Sequence, residues 1–129
     1  MKTTFAAILF AAAGASAAIT FEQFPATGVA CPNSDASANL ESLTADLKAS
    51  AEAARNDTPY EQSAANIASG KCSSLKLPYF ITTAKQTNGE PAGSLSFAWD
   101  KDAEKIYYCG AQGLYSTNGS GYPDGCTEI

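Results

Sequence analysis

The chain has 129 residues, a formal net charge of −5, no histidine, and hydrophobic side chains at 45% of its positions. This length suits one domain with one modest core. The negative charge disfavours general binding to phosphate backbones. The lack of histidine excludes Ser-His-Asp, Cys-His and paired-histidine chemistry.

The N-terminus has the three parts of a cleavable export signal. Met1–Thr4 is short and carries Lys2, residues 5–13 are apolar and uncharged, and Ala15-Ser16-Ala17 is a small-residue cleavage site. The apolar run is roughly half the ~20 residues that a membrane-spanning helix needs. We therefore predict a signal peptide at residues 1–17, a single secreted domain at 18–129, and no membrane anchor.

Four cysteines lie in the predicted secreted domain. An even number of cysteines in an exported chain favours two disulfides. Without a C-x-x-C pair or a histidine, a zinc site would need all four scattered thiolates, so we expect no metal and no cofactor. Of the three possible pairings we favour Cys31–Cys126 and Cys72–Cys109, because the first closes nearly the whole domain.

Residues 18–34 are interpreted as an extended arm or short strand leading to Cys31. A main helix is predicted next, capped at Ser34, Asp35 or Ser37 and ended by the segment Asn56–Pro59. Its apolar stripe, which we expect to pack in the core, consists of Leu40, Leu43, Leu47, Ala51 and Ala54.

A short second helix is predicted from Thr58 to Ser69. Thr58-Pro59-Tyr60-Glu61 resembles a capping box with proline at the first helical position, and Gly70 would stop the helix.

The remaining sequence has the residue types and the alternation that are typical of strands. Residues 79–83 are rich in aromatic and β-branched residues, and residues 94–99 alternate between apolar and small or polar side chains. A third strand is predicted at 105–109, with turns at Thr87–Gly89 and Asp100–Asp102 and a loop from 113 to 125. This order predicts an α+β domain in which the helix packs on an antiparallel meander.

Two kinds of functional residue remain. A carboxylate pair could serve glycoside hydrolysis; the candidates are Glu90, Asp100, Asp102, Glu104 and Asp124. Tyrosines could line a surface that binds sugar or protein, because they combine contact area with a polar tip; the candidates are Tyr79, Tyr107, Tyr108, Tyr115 and Tyr122. Either set could instead be ordinary: solvated turn charges, or tyrosines packed in the core.

Two N-glycosylation sequons occur, at Asn56 and Asn118. Pro59 directly after the first sequon is expected to weaken it. The second lies in a Gly-rich stretch and is the better candidate.

The order of signals resembles the small guanyl-specific ribonucleases of fungi. The local similarity is best from Gly93–Phe97 through Cys109–Ala111, where the family has a strand, an acidic turn and a strand ending in Thr-His-Thr-Gly-Ala. Ser116–Tyr122 with Gly125-Cys126 resembles the family's Gly/Ser/Asn loop and closing cysteine. Leu77–Ile81 resembles the strand that carries its catalytic glutamate. The resemblance covers about the last fifty residues and, by order only, the helix.

The chain departs from this family at its catalytic positions. In this alignment Pro78 stands at the glutamate, Ser94 at the arginine and Tyr108 at the second histidine, and the first histidine has no counterpart. The resemblance therefore implies a ribonuclease-like fold without catalytic groups, similar to the ribonuclease-like effectors that plant-pathogenic fungi secrete.

Our leading hypothesis is a secreted, monomeric, non-catalytic binding protein whose partner is a host or extracellular protein or glycan rather than nucleic acid. A carboxylate-dependent glycan hydrolase is the enzymatic alternative. A cell-wall or surface structural protein is the third.

Overall fold

A computed structural model of the protein describes residues 19–34, 38–116 and 123–129. In chain order the elements are β1 (Thr20–Glu22), β2 (Gly28–Cys31), β3 (Leu40–Leu43), α1 (Thr44–Ala54), a 3₁₀ turn (Ala64–Asn66), β4 (Tyr79–Lys85), β5 (Pro91–Asp100), β6 (Lys105–Gly113) and β7 (Thr127–Glu128). The strands form a four-stranded sheet in the order β1-β6-β5-β4 and a three-stranded sheet in the order β3-β2-β7. One helix packed on largely antiparallel sheets confirms the predicted α+β class.

The meander of β4, β5 and β6 is the centre of the molecule. The predicted turn after β4 is present: Gln86 N–H donates to the Glu90 carbonyl at 2.8 Å, and Gly89 has a φ of 89°, which glycine adopts readily. β1 adds a parallel strand beside β6, with Phe21 opposite Ile106.

The start of the main helix is a correction. Leu40–Leu43 is a strand that pairs with β2, and the helix begins at Thr44. Thr44 is held there because its N–H donates to Thr27 O at 2.9 Å and its hydroxyl to Pro25 O at 2.7 Å. A run of only four residues is compatible with both the helical and the strand period. The backbone hydrogen bonds with β2 therefore outweigh the local helical spacing. Leu43 precedes the helix and provides no side-chain capping bond. Of the predicted caps, Ser34 lies in a turn before β3, and Asp35 and Ser37 lie outside the described residues.

The predicted second helix is also wrong, because only the 3₁₀ turn forms between Thr58 and Ser69. The backbone of this segment bonds to the sheet instead: Glu61 pairs with Tyr79, and Ala64 N–H donates to Leu77 O at 2.7 Å. The Glu61 carboxylate bonds to Gln62 and Asn66 rather than closing a capping box.

The main core lies between α1 and one face of the four-stranded sheet. Leu47 and Ala51 of the helix face fully buried Leu95, Phe97 and Ile106. A smaller cluster forms on the opposite face of the sheet, around Cys72, Tyr79, Ala98 and Cys109.

Both predicted disulfides are confirmed. Cys31–Cys126 joins β2 to the C-terminal segment across 95 residues, and Cys72–Cys109 ties the long loop before β4 to β6 across 37 residues. Together the two disulfides anchor the C-terminal segment and the loop before β4, which contain few helix or strand residues.

Gly93 provides a test of how closely β5 and β6 approach. A Cβ at this position would collide with the backbone carbonyl oxygen of Gln112, whereas a Cβ at Gly125 meets nothing within 4 Å. We expect Gly93→Ala to lower the free energy of unfolding by about 1–3 kcal/mol, measured by urea denaturation. Gly125→Ala is the matched control and should be nearly neutral; equal effects of the two substitutions would contradict this packing.

Candidate functional site

The face of the four-stranded sheet that points away from α1 carries a shallow depression of about 270 Å³. We call this surface the open face. Strands β4, β5 and β6 supply most of its lining, and the loop before β4 and the C-terminal segment close its rim. The lining residues are Ser69, Gly70, Tyr79, Ile81, Ser94, Ser96, Cys109, Gly110, Ala111, Gln112 and Gly125.

Alternation along the strands decides which side chains reach the open face. Ile81 on β4 and Ser96 on β5 point into the depression, whereas Phe80 and Phe97 point into the main core. A bulge interrupts the pairing of β5 and β6: Ser96 is opposite Gly110, but Phe97 is opposite Tyr108. The bulge places a glycine beside Ser96, whose hydroxyl donates to Gly110 O at 3.2 Å.

The chemistry of the depression is neutral. Its lining side chains contribute serine hydroxyls, one carboxamide and one phenol, with no carboxylate, ammonium, guanidinium or imidazole group. None of these groups has an ordinary pKa near neutrality, so the lining offers no conventional general acid–base pair. It can exchange hydrogen bonds with an uncharged polar ligand.

The structure does not bring the candidate tyrosines together. Tyr79 lines the depression at 8% exposure, and Tyr107 is half-buried on the same side of the sheet. Tyr108 is buried in the main core, and Tyr115 lies exposed beyond β6. Tyr122 lies outside the described residues.

Sequence reasoning missed Tyr60 as a surface residue, since it was assigned to a helical turn. Tyr60 is 69% exposed, and its ring centroid lies 6.2 Å from that of Tyr79. The available signal was the Thr-Pro pair before it, which suits an extended segment as well as a helix start.

Of the positions aligned with the ribonuclease catalytic groups, only Ser94 lines the depression. Pro78 precedes β4, and its carbonyl accepts a hydrogen bond from Trp99 N–H at 3.1 Å. Tyr108 packs against Phe24 in the core. The three positions do not form one cluster.

Burial, with a smaller contribution from the negative charge of Glu128, raises the pKa of Tyr108 to about 12. Only 2% of the residue is exposed, and the Lys71 ammonium lies 5.5 Å from its ring centroid. The phenol therefore stays protonated in the folded protein at any physiological pH.

This shift predicts a loss of stability in alkali. Above pH 10 the unfolded chain releases the Tyr108 proton while the folded protein keeps it to about pH 12, so the free energy of unfolding falls as pH rises through this interval. We expect a decline of about 2 kcal/mol from this group, measured by denaturant titrations from pH 9 to 12. Tyr108→Phe should remove that part of the decline and keep the part due to lysines; an unchanged slope would contradict the assignment.

None of the candidate carboxylates lines the depression. Asp100, Asp102 and Glu104 surround the turn between β5 and β6, and Asp100 Oδ1 accepts the Ala103 N–H at 3.1 Å. Asp100 lies six positions after Ser94 on β5, a span of about 20 Å. Glu90 ends the other hairpin, and Asp124 accepts the Gly113 N–H through its backbone carbonyl.

In the described part of the chain, no group of three or more histidine, cysteine, aspartate or glutamate side chains is placed to hold a metal ion. No helix within residues 19–34, 38–116 and 123–129 has the length and apolar character needed to cross a bilayer. The sequon residue Asn56 is exposed just after α1, and Asn118 lies outside the described residues.

Comparison with known proteins leaves the site to be interpreted from its own chemistry. No protein-family model, curated protein or solved structure matches the chain.

Proposed function

We propose that this chain is a secreted, non-catalytic binding protein: a ribonuclease-like domain without catalytic groups that acts as a fungal effector on a host or extracellular target. Export is supported by the signal-like residues 1–17 and by two disulfides, which persist in oxidising compartments.

The observation that carries the proposal is the neutral lining of the depression. Ser94, which aligns with the arginine of the ribonucleases, lines a depression whose side chains bear no charge. A site that cleaves RNA must stabilise negative charge and move protons, and neutral hydroxyls suit neither task. Hydroxyl and amide groups beside Tyr79 and Ile81 suit a neutral glycan or a protein surface.

A measurement of RNA binding distinguishes this proposal from a nucleic-acid-binding function. Fluorescence anisotropy with a labelled ten-nucleotide single-stranded RNA at 0.15 M salt should show no saturable binding, because the chain is acidic and the depression neutral. A Ser94→Arg variant, which restores a cation, is the sensitivity control and should raise the RNA signal. The control is Ser73→Ala, at an exposed position in the loop before β4 that does not line the depression. Saturable binding by the natural protein, weakened by Ser96→Ala but not by Ser73→Ala, would contradict the proposal.

Export has its own test. N-terminal sequencing of protein recovered from the medium of an expressing fungal culture should begin at Ala18. Retention of the chain inside the cells with Met1 intact would contradict secretion.

A further inference from the structure

Strand β4 forms one edge of the four-stranded sheet, and part of that edge is unpaired. The strand order ends at β4, so only β5 pairs with it along its length. On the side of β4 that faces away from β5, two other segments form hydrogen bonds with the two ends of the strand. Near the start, Tyr79 N–H donates to Glu61 O at 2.9 Å; at the end, the Ser42 hydroxyl donates to Lys85 O at 2.6 Å.

Between these two contacts lies a short opening. Backbone groups alternate in direction along a strand, so the N–H and C=O of Ile81 and Thr83 point the same way as those of Tyr79, away from β5. The hydrogen bond from Trp99 N–H to Pro78 O shows that the Pro78 carbonyl points towards β5, so the backbone groups of the next residue, Tyr79, point away from it. Among the described residues none bonds to these four backbone groups of Ile81 and Thr83. Both residues are exposed.

A groove runs beside the opening on the helix side. It has a volume of about 160 Å³, and small residues of α1 form one wall while Thr82 and Lys85 form the other. Asp57 and Lys85 supply its two charged groups, and neither side chain forms a hydrogen bond or ion pair with the rest of the described chain. The lining residues are Ser50, Ala53, Ala54, Asp57, Thr82 and Lys85.

We propose that the β4 edge binds a short extended segment of a partner protein by strand addition, with the segment's middle side chain in the helix-side groove. An added antiparallel segment would exchange four hydrogen bonds with Ile81 and Thr83. Its middle residue lies opposite Thr82 and points into the groove, where the Asp57 carboxylate and the Lys85 ammonium together suit a long polar side chain. The outer residues lie beside Ile81 and Thr83 on the open face, which favours β-branched side chains.

A second copy of this chain does not fit the same opening. Two β4 strands paired about a two-fold axis at Thr82 would place Lys85 of the second copy opposite Tyr79. Glu61 already occupies that position. A segment of about three residues avoids both contacts at the ends of the opening. This inference concerns a surface separate from the open-face depression, so it does not depend on what the depression binds.

Amide exchange in the free protein tests the opening itself. The Ile81 and Thr83 amide protons should exchange with solvent far faster than those of Phe80 and Thr82, which face β5. Equal protection of all four amides would overturn the proposal. Concentration-dependent dimerisation that protects Ile81 and Thr83 would also overturn it, in favour of a second copy.

Binding is tested with the peptide acetyl-Ser-Thr-Lys-Val-Ser-amide on the intact protein, followed by NMR. We expect the largest shifts at the Ile81 and Thr83 amides. N-methylation of the peptide's threonine or valine removes a donor that faces the edge and should weaken binding about tenfold, whereas N-methylation of its lysine should not.

Two protein variants complete the experiment. Thr83→Pro removes an outward N–H, which an edge strand tolerates, and should abolish binding; Thr83→Val is the matched control and should retain it. Ser96→Ala on the open face should leave peptide binding unchanged. If Thr83→Pro fails to fold, the N-methylation series on the natural protein decides alone. No binding of the parent peptide, or equal binding of all N-methylated forms, would overturn the proposal.

Discussion

Replacing Cys31 and Cys126 together with alanine is expected to lower the free energy of unfolding by about 4–5 kcal/mol. The disulfide spans 95 residues, so its removal frees nearly the whole unfolded chain from one closed loop. It also holds β7, which has only two residues and pairs with β2. Chemical denaturation of the natural and double-alanine proteins, both with the second disulfide intact, measures the difference.

The second disulfide is the internal comparison. Cys72–Cys109 spans 37 residues, so the same chain-entropy reasoning predicts a loss nearly 1 kcal/mol smaller when Cys72 and Cys109 are replaced by alanine. A loss below about 2 kcal/mol for the Cys31–Cys126 pair would show that residual structure in the unfolded state, rather than loop closure, controls stability.

Phe97→Ala is expected to cost about 3–5 kcal/mol of unfolding free energy. The Phe97 side chain is fully buried and stacks on Phe80 with ring centroids 5.0 Å apart. Truncation leaves a cavity beneath α1, since Leu47 and Leu95 are themselves fully buried and cannot easily collapse into it. Urea or thermal unfolding of the two proteins measures the change.

Leu114 offers the matched control, because it is 43% exposed just beyond β6. Leu114→Ala should change stability by no more than about 0.5 kcal/mol. If the two alanine substitutions had similar effects, the main core would not lie between α1 and the meander.

The meander was predictable because its signals are local. The alternation through Leu95, Phe97 and Trp99 identifies β5 and its buried face, and Asn88-Gly89 identifies the hairpin before it. The presence of two disulfides was predictable from the even number of cysteines in an exported chain, and their pairing from the preference for a bond that closes nearly the whole domain.

The helix start was not predictable from local pattern. Leu40 and Leu43 satisfy a helical stripe, yet they belong to a strand whose partner β2 is itself paired with β7 at the far end of the chain. Contacts between distant segments decide such short, ambiguous runs.

The candidate site, too, could not be predicted from the local sequence pattern alone. The bulge between the Ser96–Gly110 and Phe97–Tyr108 pairs places Gly110, rather than Cys109, opposite Ser96. Nothing in the residue types around Cys109 marks an extra residue there. Likewise, the opening at Ile81 and Thr83 follows from the position of β4 at the end of the strand order, which no local pattern specifies.

The central claim is that this fold binds without catalysis, and RNA cleavage tests it most directly. Disulfide-intact protein is incubated with a guanosine-containing RNA oligonucleotide, beside an active fungal guanyl-specific ribonuclease as the positive control. The account predicts no cleavage above the buffer rate, because the side chains that line the depression include no charged or proton-transferring pair. Cleavage that survives repurification and is abolished by Ser94→Ala or Ser96→Ala would contradict it.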